Sequence, residues 1–126
     1  MSKAKLAWKK KPEAADYRGA LQFLQLVCPE RAARRLLRAF AHAKTVEHTA
    51  KDLLRASNLP LLSRKEAHVE EDLGRIRKGK ELAPVLLIRG DMTRNVPLFI
   101  ADGYHRICAI CYYDEDAPIA CRVVEA

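Results

Sequence analysis

The sequence predicts an α+β fold in which a helical N-terminal region precedes a small mixed β-sheet with helices. The first observation is helical periodicity, since apolar side chains recur at helical spacing from residue 17 to residue 57. The second is a set of short apolar runs over 85–88, 98–102 and 119–124, which are bounded by turn residues as strands usually are. Helical patterns separate these runs, so the second half alternates helix and strand.

Three consecutive regions, packed as one unit, are expected along the 126 residues. Residues 1–15 hold five lysines and one tryptophan, and they should form a flexible basic arm. Residues 16–58 should form the helical region, and residues 59–126 the domain that contains the sheet. Pro29 should separate the first helix from the second, because the residue before a proline disfavours helical backbone. The third helix is expected over 46–57.

The second helix, with the sequence ERAARRLLRAFAHA, has two chemically different faces. Alanine, leucine and phenylalanine recur on one face, and four arginines share the other at helical spacing: Arg31, Arg34, Arg35 and Arg38. Such a stripe is either a solvated surface or a contact for nucleic-acid phosphates. Phosphate binding would be independent of base sequence and strongly dependent on salt, and no base-reading motif accompanies the stripe.

The net charge of +7 is unevenly distributed along the chain. Residues 1–63 carry 13 lysines and arginines against 5 acidic residues, a net charge of +8. Residues 64–126 carry 10 against 11, a net charge of −1. The asymmetry favours either an anionic partner for the first half, such as nucleic acid, or a solvated basic face.

Nothing in the sequence indicates a membrane or secreted protein. It contains no run of about 18 apolar residues, and its basic N-terminus lacks the apolar core of a secretory signal. We therefore expect a cytoplasmic protein without a membrane partner and with free, partly buried cysteines. Cys108 and Cys111 share a helix with His105, but the three side chains spread around its axis, so no metal site is expected from them.

A short helix is expected between residue 63 and Gly79, where a glycine should end it. Ser63 and Glu66 match the spacing of a capping box at its start. Residues 59–62 surround Pro60 and suggest an extended or edge segment.

The sequence FIADGYHR places a strand, a glycine and the start of a helix in immediate succession. The first backbone N–H groups of such a helix are unpaired and its N-terminus is partly positive, which makes it an anion site. Gly103 allows the sharp turn, Arg106 offers a fork of donors for phosphate oxygens, and His105 can donate from either ring nitrogen. Asp102 either caps the helix or acts at the site, by orienting His105 or by holding a metal ion beside a phosphate.

Two stretches then resemble the superfamily of the ParB N-terminal domain and sulfiredoxin. They are LPLLSRKEAHVEEDLGRIRKGKELAPVLLI and PLFIADGYHRICAICYYDEDAPIACRVV, which cover about 59–124. The resemblance rests on a short helix that ends in glycine before LAPVLLI, on the turn DGYHRICA with its Arg-x-x-Ala at Arg106 and Ala109, and on the closing strand IACRVV.

What the resemblance implies is a nucleotide site with ATP or CTP and Mg²⁺ at the turn. Carried over residue by residue, the phosphates would be lined by Asp102, Gly103, Tyr104, His105 and Arg106. The stretch from Gly79 to Pro84 would lie near the nucleotide. Members of the superfamily include CTP-binding partition proteins, ATP-dependent sulfiredoxins and kinases of free serine.

The chain departs from two of these branches. Tyr104 stands where a sulfiredoxin has its reactive cysteine, so reduction of sulfinic acids by that route is not expected. The sequence also shows no helix-turn-helix after the sheet, in contrast to full partition proteins. The turn most resembles the Asp-Gly-His-His-Arg turn of the kinase-like branch, which uses an upstream carboxylate as general base. Glu66, Glu70 and Glu71 are the candidates here, and Glu66 is alternatively only a helix cap.

The sequence therefore favours a nucleotide-binding protein that hydrolyses its ligand or transfers a phosphoryl group to a small hydroxyl compound. His105, Arg106 and Glu66 are its candidate catalytic residues. The alternative is a ParB-like nucleic-acid-binding accessory protein or nuclease that uses the basic first half.

Overall fold

A four-stranded mixed sheet forms the centre of the molecule, which the computed structural model describes over residues 4–126. Its strands are β1 (Thr45–Thr49), β2 (Val85–Ile88), β3 (Phe99–Asp102) and β4 (Pro118–Val124), in the order β1-β4-β2-β3. The central strands β4 and β2 are parallel, and each edge strand is antiparallel to its neighbour. The predicted α+β class with a small mixed sheet is confirmed.

Five α-helices pack on this sheet within the described residues. They are α1 (Ala14–Leu24), α2 (Glu30–His42), α3 (Ala50–Ser57), α4 (Ala67–Arg77) and α5 (Tyr104–Tyr113). A short 3-10 turn, Met92–Arg94, lies in the loop between β2 and β3. None of the helices described is long and apolar enough to cross a membrane.

Strand β2 explains why the sheet has helices on both faces. All four of its residues are buried, and successive side chains of a strand point to opposite faces. Leu86 and Ile88 pack in one apolar core with α1 and α2, whereas Val85 and Leu87 pack in the other with α3, α4 and α5. A strand that is apolar at every position thus predicts two covered faces.

Arg122 is a charged residue inside the α1–α2 layer, and it is 8% exposed. Its Nη1 donates to the carbonyl oxygens of Phe40 and Ala41 at 3.0 and 3.2 Å, and its Nη2 donates to that of Lys10 at 3.2 Å. The last carbonyls of a helix have no partner within the helix and carry partial negative charge. The guanidinium therefore ties the end of α2 to the central strand β4.

The expectation of a helix over 46–57 is wrong for its first four residues. β1 covers Thr45–Thr49 and pairs with β4, and the helix begins only at Ala50. Three of the five residues in β1 are β-branched, which favours an extended backbone. Thr49 then caps α3, because its hydroxyl oxygen accepts a hydrogen bond from the N–H of Asp52.

The predicted basic arm lies against the domain over much of its length. Trp8 forms an isolated bridge with Leu82, and the N–H of Lys9 donates to the carbonyl of Leu82 at 2.8 Å. Leu6 and Trp8 also pack on the core of the α3–α5 face. Residues 6–9 thus differ from the expected flexible arm, because two apolar side chains among the lysines have a surface to cover. The first three residues of the predicted arm lie outside the described residues.

The expected capping box at the start of α4 does not form. Glu66 itself is the N-cap residue, and its Oε2 accepts a hydrogen bond from the N–H of Val69 at 2.9 Å. The hydroxyl of Ser63 instead accepts one from the N–H of Lys65. Gly79 ends this segment at a φ of +70°, as expected. Residues 59–62, predicted as an extended or edge segment, join no strand of the sheet.

Candidate functional site

The turn from β3 into α5 is as tight as the sequence predicts. Gly103 is the N-cap residue of α5 with a φ of 109°, which disfavours any residue with a side chain. A Cβ placed there would lie 2.5 Å from Cγ1 of Val85. No side chain among the described residues caps this helix. The expectation that Asp102 caps α5 is therefore wrong, and the first N–H groups of α5 are without a side-chain acceptor.

A cleft of about 330 Å³ opens at this turn. Its lining combines three acidic side chains with two histidines and two arginines, together with the glycine of the turn: Glu71, Asp72, Asp102, His68, His105, Arg75, Arg106 and Gly103. The lining residues belong to α4, to the end of β3 and to the start of α5. Such a small and highly charged concavity suits a polar, ionised group rather than an apolar one.

Arg106 points into the protein as well as toward the cleft. Its Nη1 donates to the carbonyl oxygen of Ala83 at 3.0 Å, and its Nη2 donates to Oδ1 of Asp16 at 3.1 Å. The Asp102 carboxylate lies 3.9 Å from Nη2. Because these contacts take up two of the five donors of the guanidinium, Arg106 keeps donors for a ligand but is also a structural link to α1.

Two carboxyl groups share this one arginine. Burial, the largest cause, raises the pKa of Asp102 from its ordinary 3.8 to about 7. The Arg106 charge opposes this rise, and the neighbouring Asp16 carboxyl adds to it. Near neutrality Asp102 therefore exchanges a proton, and the charge of the cleft changes with it.

Glu66 and His105, two predicted catalytic residues, lie close together. Nε2 of His105 is 3.9 Å from Oε2 of Glu66. The His105 ring also packs on the His68 ring, with centroids 4.9 Å apart. Since the N–H of Val69 donates to the Glu66 carboxylate, that hydrogen bond lowers the pKa of Glu66 and keeps it ionised. Glu66 thus combines a structural cap with a charge beside His105.

The other two carboxylates considered as bases have different surroundings. Glu71 lines the cleft, but it forms an ion pair of 2.6 Å with Arg75. Glu70 is exposed on α4, and neither Glu70 nor Glu66 lines the cleft. Of the three, Glu66 alone lies next to His105.

The Tyr104 side chain turns away from the cleft. Its hydroxyl donates to the carbonyl oxygen of Pro60, and its ring packs on the core of the α3–α5 face. Its predicted contact with phosphates is therefore restricted to the backbone. Gly79 and Pro84, predicted near the nucleotide, do not line the cleft. Pro84 is fully buried directly after Ala83, the residue that accepts from Arg106.

Sequence reasoning missed Asp16, His68 and Asp72. Asp16 is 7% exposed, and its Oδ2 accepts from the N–H of Glu13 in a capping box that opens α1. The spacing Glu13-x-x-Asp16 is visible in the sequence and would have predicted this helix start. Its ion pair with Arg106 was not visible, because 90 residues separate the two along the chain.

The four arginines of α2 are all exposed, on the side of the helix opposite to its buried residues Ala33, Leu36 and Phe40. Arg34 pairs with Glu30 at 3.2 Å. The remaining three have no ion-pair partner in the part of the chain that the structure describes. The predicted two-faced character of α2 is thus correct, and its stripe is open to solvent.

The cysteines are free, and two of them are fully buried, Cys108 and Cys121. Burial raises the pKa of Cys108, so its thiol is protonated and poorly reactive at neutral pH. Within residues 4–126 no group of three or more histidine, cysteine or acidic side chains is arranged to hold a metal ion.

Comparisons with protein-family models, with curated proteins and with solved structures find no match for this chain. The resemblance to the ParB and sulfiredoxin superfamily therefore stays a prediction.

Proposed function

We propose that this protein binds the phosphate groups of a nucleotide in the cleft at the start of α5, as a member of the ParB/sulfiredoxin-like fold would. The observation that carries the proposal is the uncapped helix N-terminus at Gly103, which opens on a cleft lined by His105 and Arg106. Unpaired N–H groups and the helix dipole favour an anion there, and the two side chains add charge-assisted donors.

The size of the cleft supports binding by the phosphates rather than by the base. Its 330 Å³ lies at the lower end of the range for small-molecule sites, so the sugar and base would extend over the surface. ATP and CTP are the nucleotides proposed, with Mg²⁺. The carboxylates of Asp102 and of Asp72, which is paired with Arg75 at 2.9 Å, would supply oxygen ligands of the type that Mg²⁺ prefers, and the ion would reduce their repulsion of phosphate.

Any chemistry at this site is expected to be hydrolysis of the nucleotide or phosphoryl transfer to a small hydroxyl compound. Arg106 and His105 would offset charge on the transferred group. Glu66 is ionised and lies 3.9 Å from Nε2 of His105, but it does not line the cleft, so it would act on a ligand through that imidazole. Of the three carboxylates proposed as general base, Glu66 is the one beside a histidine of the cleft.

A titration calorimetry panel of ATP, CTP, GTP and ADP with Mg²⁺ tests the proposal. We expect at least one nucleotide to bind, and His105→Ala to weaken its binding by about tenfold. His42→Ala is the matched control, because His42 is an exposed histidine at the end of α2, outside the cleft. Absence of binding for the whole panel, or an equal effect of both substitutions, would contradict the proposal.

Arg106 needs a more conservative substitution. Because its guanidinium links α1 to the carbonyl of Ala83, Arg106→Ala removes a structural contact together with any ligand contact. Arg106→Lys keeps the charge beside Asp16 but loses the two-pronged donor geometry. Weaker nucleotide binding with little change in melting temperature would assign Arg106 to the ligand.

A second candidate function is nucleic-acid binding by the arginine stripe of α2. The observation that favours it is that Arg31, Arg35 and Arg38 are exposed and, within the described residues, unpaired. Fluorescence anisotropy with duplex DNA and with single-stranded RNA should show affinity that falls steeply with salt. Replacing the four arginines by glutamine should abolish it, whereas the exposed pair Arg64→Gln and Arg77→Gln should not. An unaltered affinity in the fourfold variant would eliminate this candidate.

A further inference from the structure

A second, larger concavity lies apart from the cleft, between α3, the sheet and the loop that joins β2 to β3. We call it the α3 groove, and its volume is about 1190 Å³. None of its lining residues lines the cleft at α5. The N–H of Leu98 donates to the carbonyl oxygen of Ala56 at 3.0 Å, so the loop is fastened to α3 along one side of the groove.

The floor of the α3 groove is apolar. Leu87 and Val123 are paired in the sheet and belong to the core of the α3–α5 face, and of the two only Val123 keeps exposed surface. Val46 pairs with Cys121, which faces the same core, so Val46 also points to this face. Leu53 of α3 contributes from the opposite wall. Val46 is 41% exposed, which leaves part of this apolar floor open to solvent.

The rim of the groove carries one cation without a counter-ion. Lys44, which directly precedes β1, is exposed and lines the groove. Among the described residues Lys44 has no ion-pair partner. The two arginines of the lining are paired, Arg55 with Asp52 at 3.3 Å and Arg89 with Glu125 at 2.7 Å.

Glu47, the remaining acidic residue of the lining, does not neutralise this lysine. Its side chain belongs to the opposite face of β1, because it is adjacent to Val46 in the strand. Thr45, the residue after Lys44, pairs with Arg122, the residue before Val123. Lys44 therefore lies close to the end of β4 that carries Val123.

We propose that the α3 groove binds a small aliphatic carboxylate, with its chain on Val46 and Val123 and its carboxylate at Lys44. The apolar floor supplies the affinity through burial of the chain. The single unpaired cation selects a ligand with one anionic head, because a cationic head would be repelled and an uncharged one would gain no ion pair. The volume accommodates a chain of medium length.

Isothermal titration calorimetry with octanoate and with 1-octanol, both below their aggregation limits, tests the proposal. Octanoate should bind the wild-type protein, and 1-octanol should bind about threefold or more weakly, since an exposed ion pair contributes a modest free energy. Lys44→Gln should reduce the affinity for octanoate to that of 1-octanol. Lys78→Gln, an exposed lysine outside the groove, should leave both affinities unchanged.

Filling the groove is an independent arm of the test. Ala56→Trp places a large side chain in the groove and should abolish binding of both compounds while leaving the circular dichroism spectrum unchanged. If that variant does not fold, Lys44→Gln remains decisive, because Lys44 is exposed and its substitution leaves the core intact. No binding of octanoate at millimolar concentration, or equal affinity of octanoate and 1-octanol in the wild type, overturns the proposal.

Discussion

At the scale of single residues, the carboxyl groups of Asp16 and Asp102 beside Arg106 make the stability of this protein depend on pH. Asp102 has a folded pKa of about 7, above its ordinary 3.8, mainly because it is buried. Its proton is therefore bound more tightly in the folded protein than in the unfolded one. The stability that this bound proton contributes is fully present below pH 3.8, the ordinary pKa of the group. It is lost as the pH rises through about 7, the pKa in the folded protein.

We predict that the melting temperature of the wild-type protein falls between pH 5 and pH 8 and that Asp102→Asn removes most of this fall. The amide of the variant stays neutral, so it keeps the uncharged state of the site at every pH in that range. A difference of a few degrees between variant and wild type is expected at pH 8, and a smaller one at pH 5. Parallel pH profiles for the two proteins would contradict the assignment.

Gly103 is the second residue whose environment gives a sharp prediction. Gly103→Ala should lower the free energy of unfolding by about 2–3 kcal/mol, because the left-handed backbone and the contact with Val85 both disfavour a Cβ. Gly74→Ala is the matched control, since Gly74 is inside α4 and a Cβ there meets nothing within 4 Å. The control should raise stability by about 0.5–1 kcal/mol. Urea denaturation measures both, and equal effects would contradict this account of the turn.

At the scale of elements, α4 and α5 begin side by side, and Glu66 serves both. It caps α4 through the N–H of Val69, and its Oε2 lies 3.9 Å from His105 at the start of α5. The structural and the catalytic interpretations of this residue are therefore compatible. They are separable only by a substitution that keeps one role and removes the other.

Glu66→Ala should destabilise the protein by about 1 kcal/mol, the usual effect of losing an N-cap. Glu66→Gln should lower the stability much less, since its amide oxygen still accepts from the N–H of Val69. It nevertheless removes the charge beside His105. Urea denaturation curves of both variants and the wild type provide the measurement. An equal loss of stability in Glu66→Ala and Glu66→Gln would contradict the capping role.

At the scale of the whole molecule, the N-terminal half is part of the sheet domain and is not an appendage to it. It contributes β1 to the sheet, α1 and α2 to one face, and Asp16 as a partner of the cleft residue Arg106. Residues 6–9 add Trp8 and a backbone pairing with Leu82. A ligand at the cleft would thus be sensitive to the packing of α1.

Deletion of residues 2–9 should lower the free energy of unfolding by about 2 kcal/mol, from the loss of Leu6 and Trp8 packing. Trp8 is the single tryptophan of the chain, so its fluorescence maximum reports whether it is packed. It should shift to longer wavelength on unfolding. Lys5→Gln is the control, as Lys5 is exposed, and it should have no effect. If the truncated protein is as stable as the full chain, the result would contradict this packing and support the prediction of a flexible arm.

The sequence by itself determined the elements whose pattern is local. The two-faced α2 follows from the spacing of its arginines, β2 from an unbroken apolar run, and the turn at Gly103 from a glycine between strand and helix. In each case the signal lies within a few residues, because side-chain periodicity and backbone freedom are properties of the local chain.

Only the tertiary structure decided which side chains meet. The Tyr104 hydroxyl donates to Pro60, and one N–H of Arg106 donates to Asp16. Glu66, rather than Glu70, lies beside His105. The tertiary structure also made an edge strand of 45–49, since pairing with β4 outweighs the weak helical pattern of that segment. These outcomes depend on contacts between residues far apart in the chain, which local periodicity does not encode.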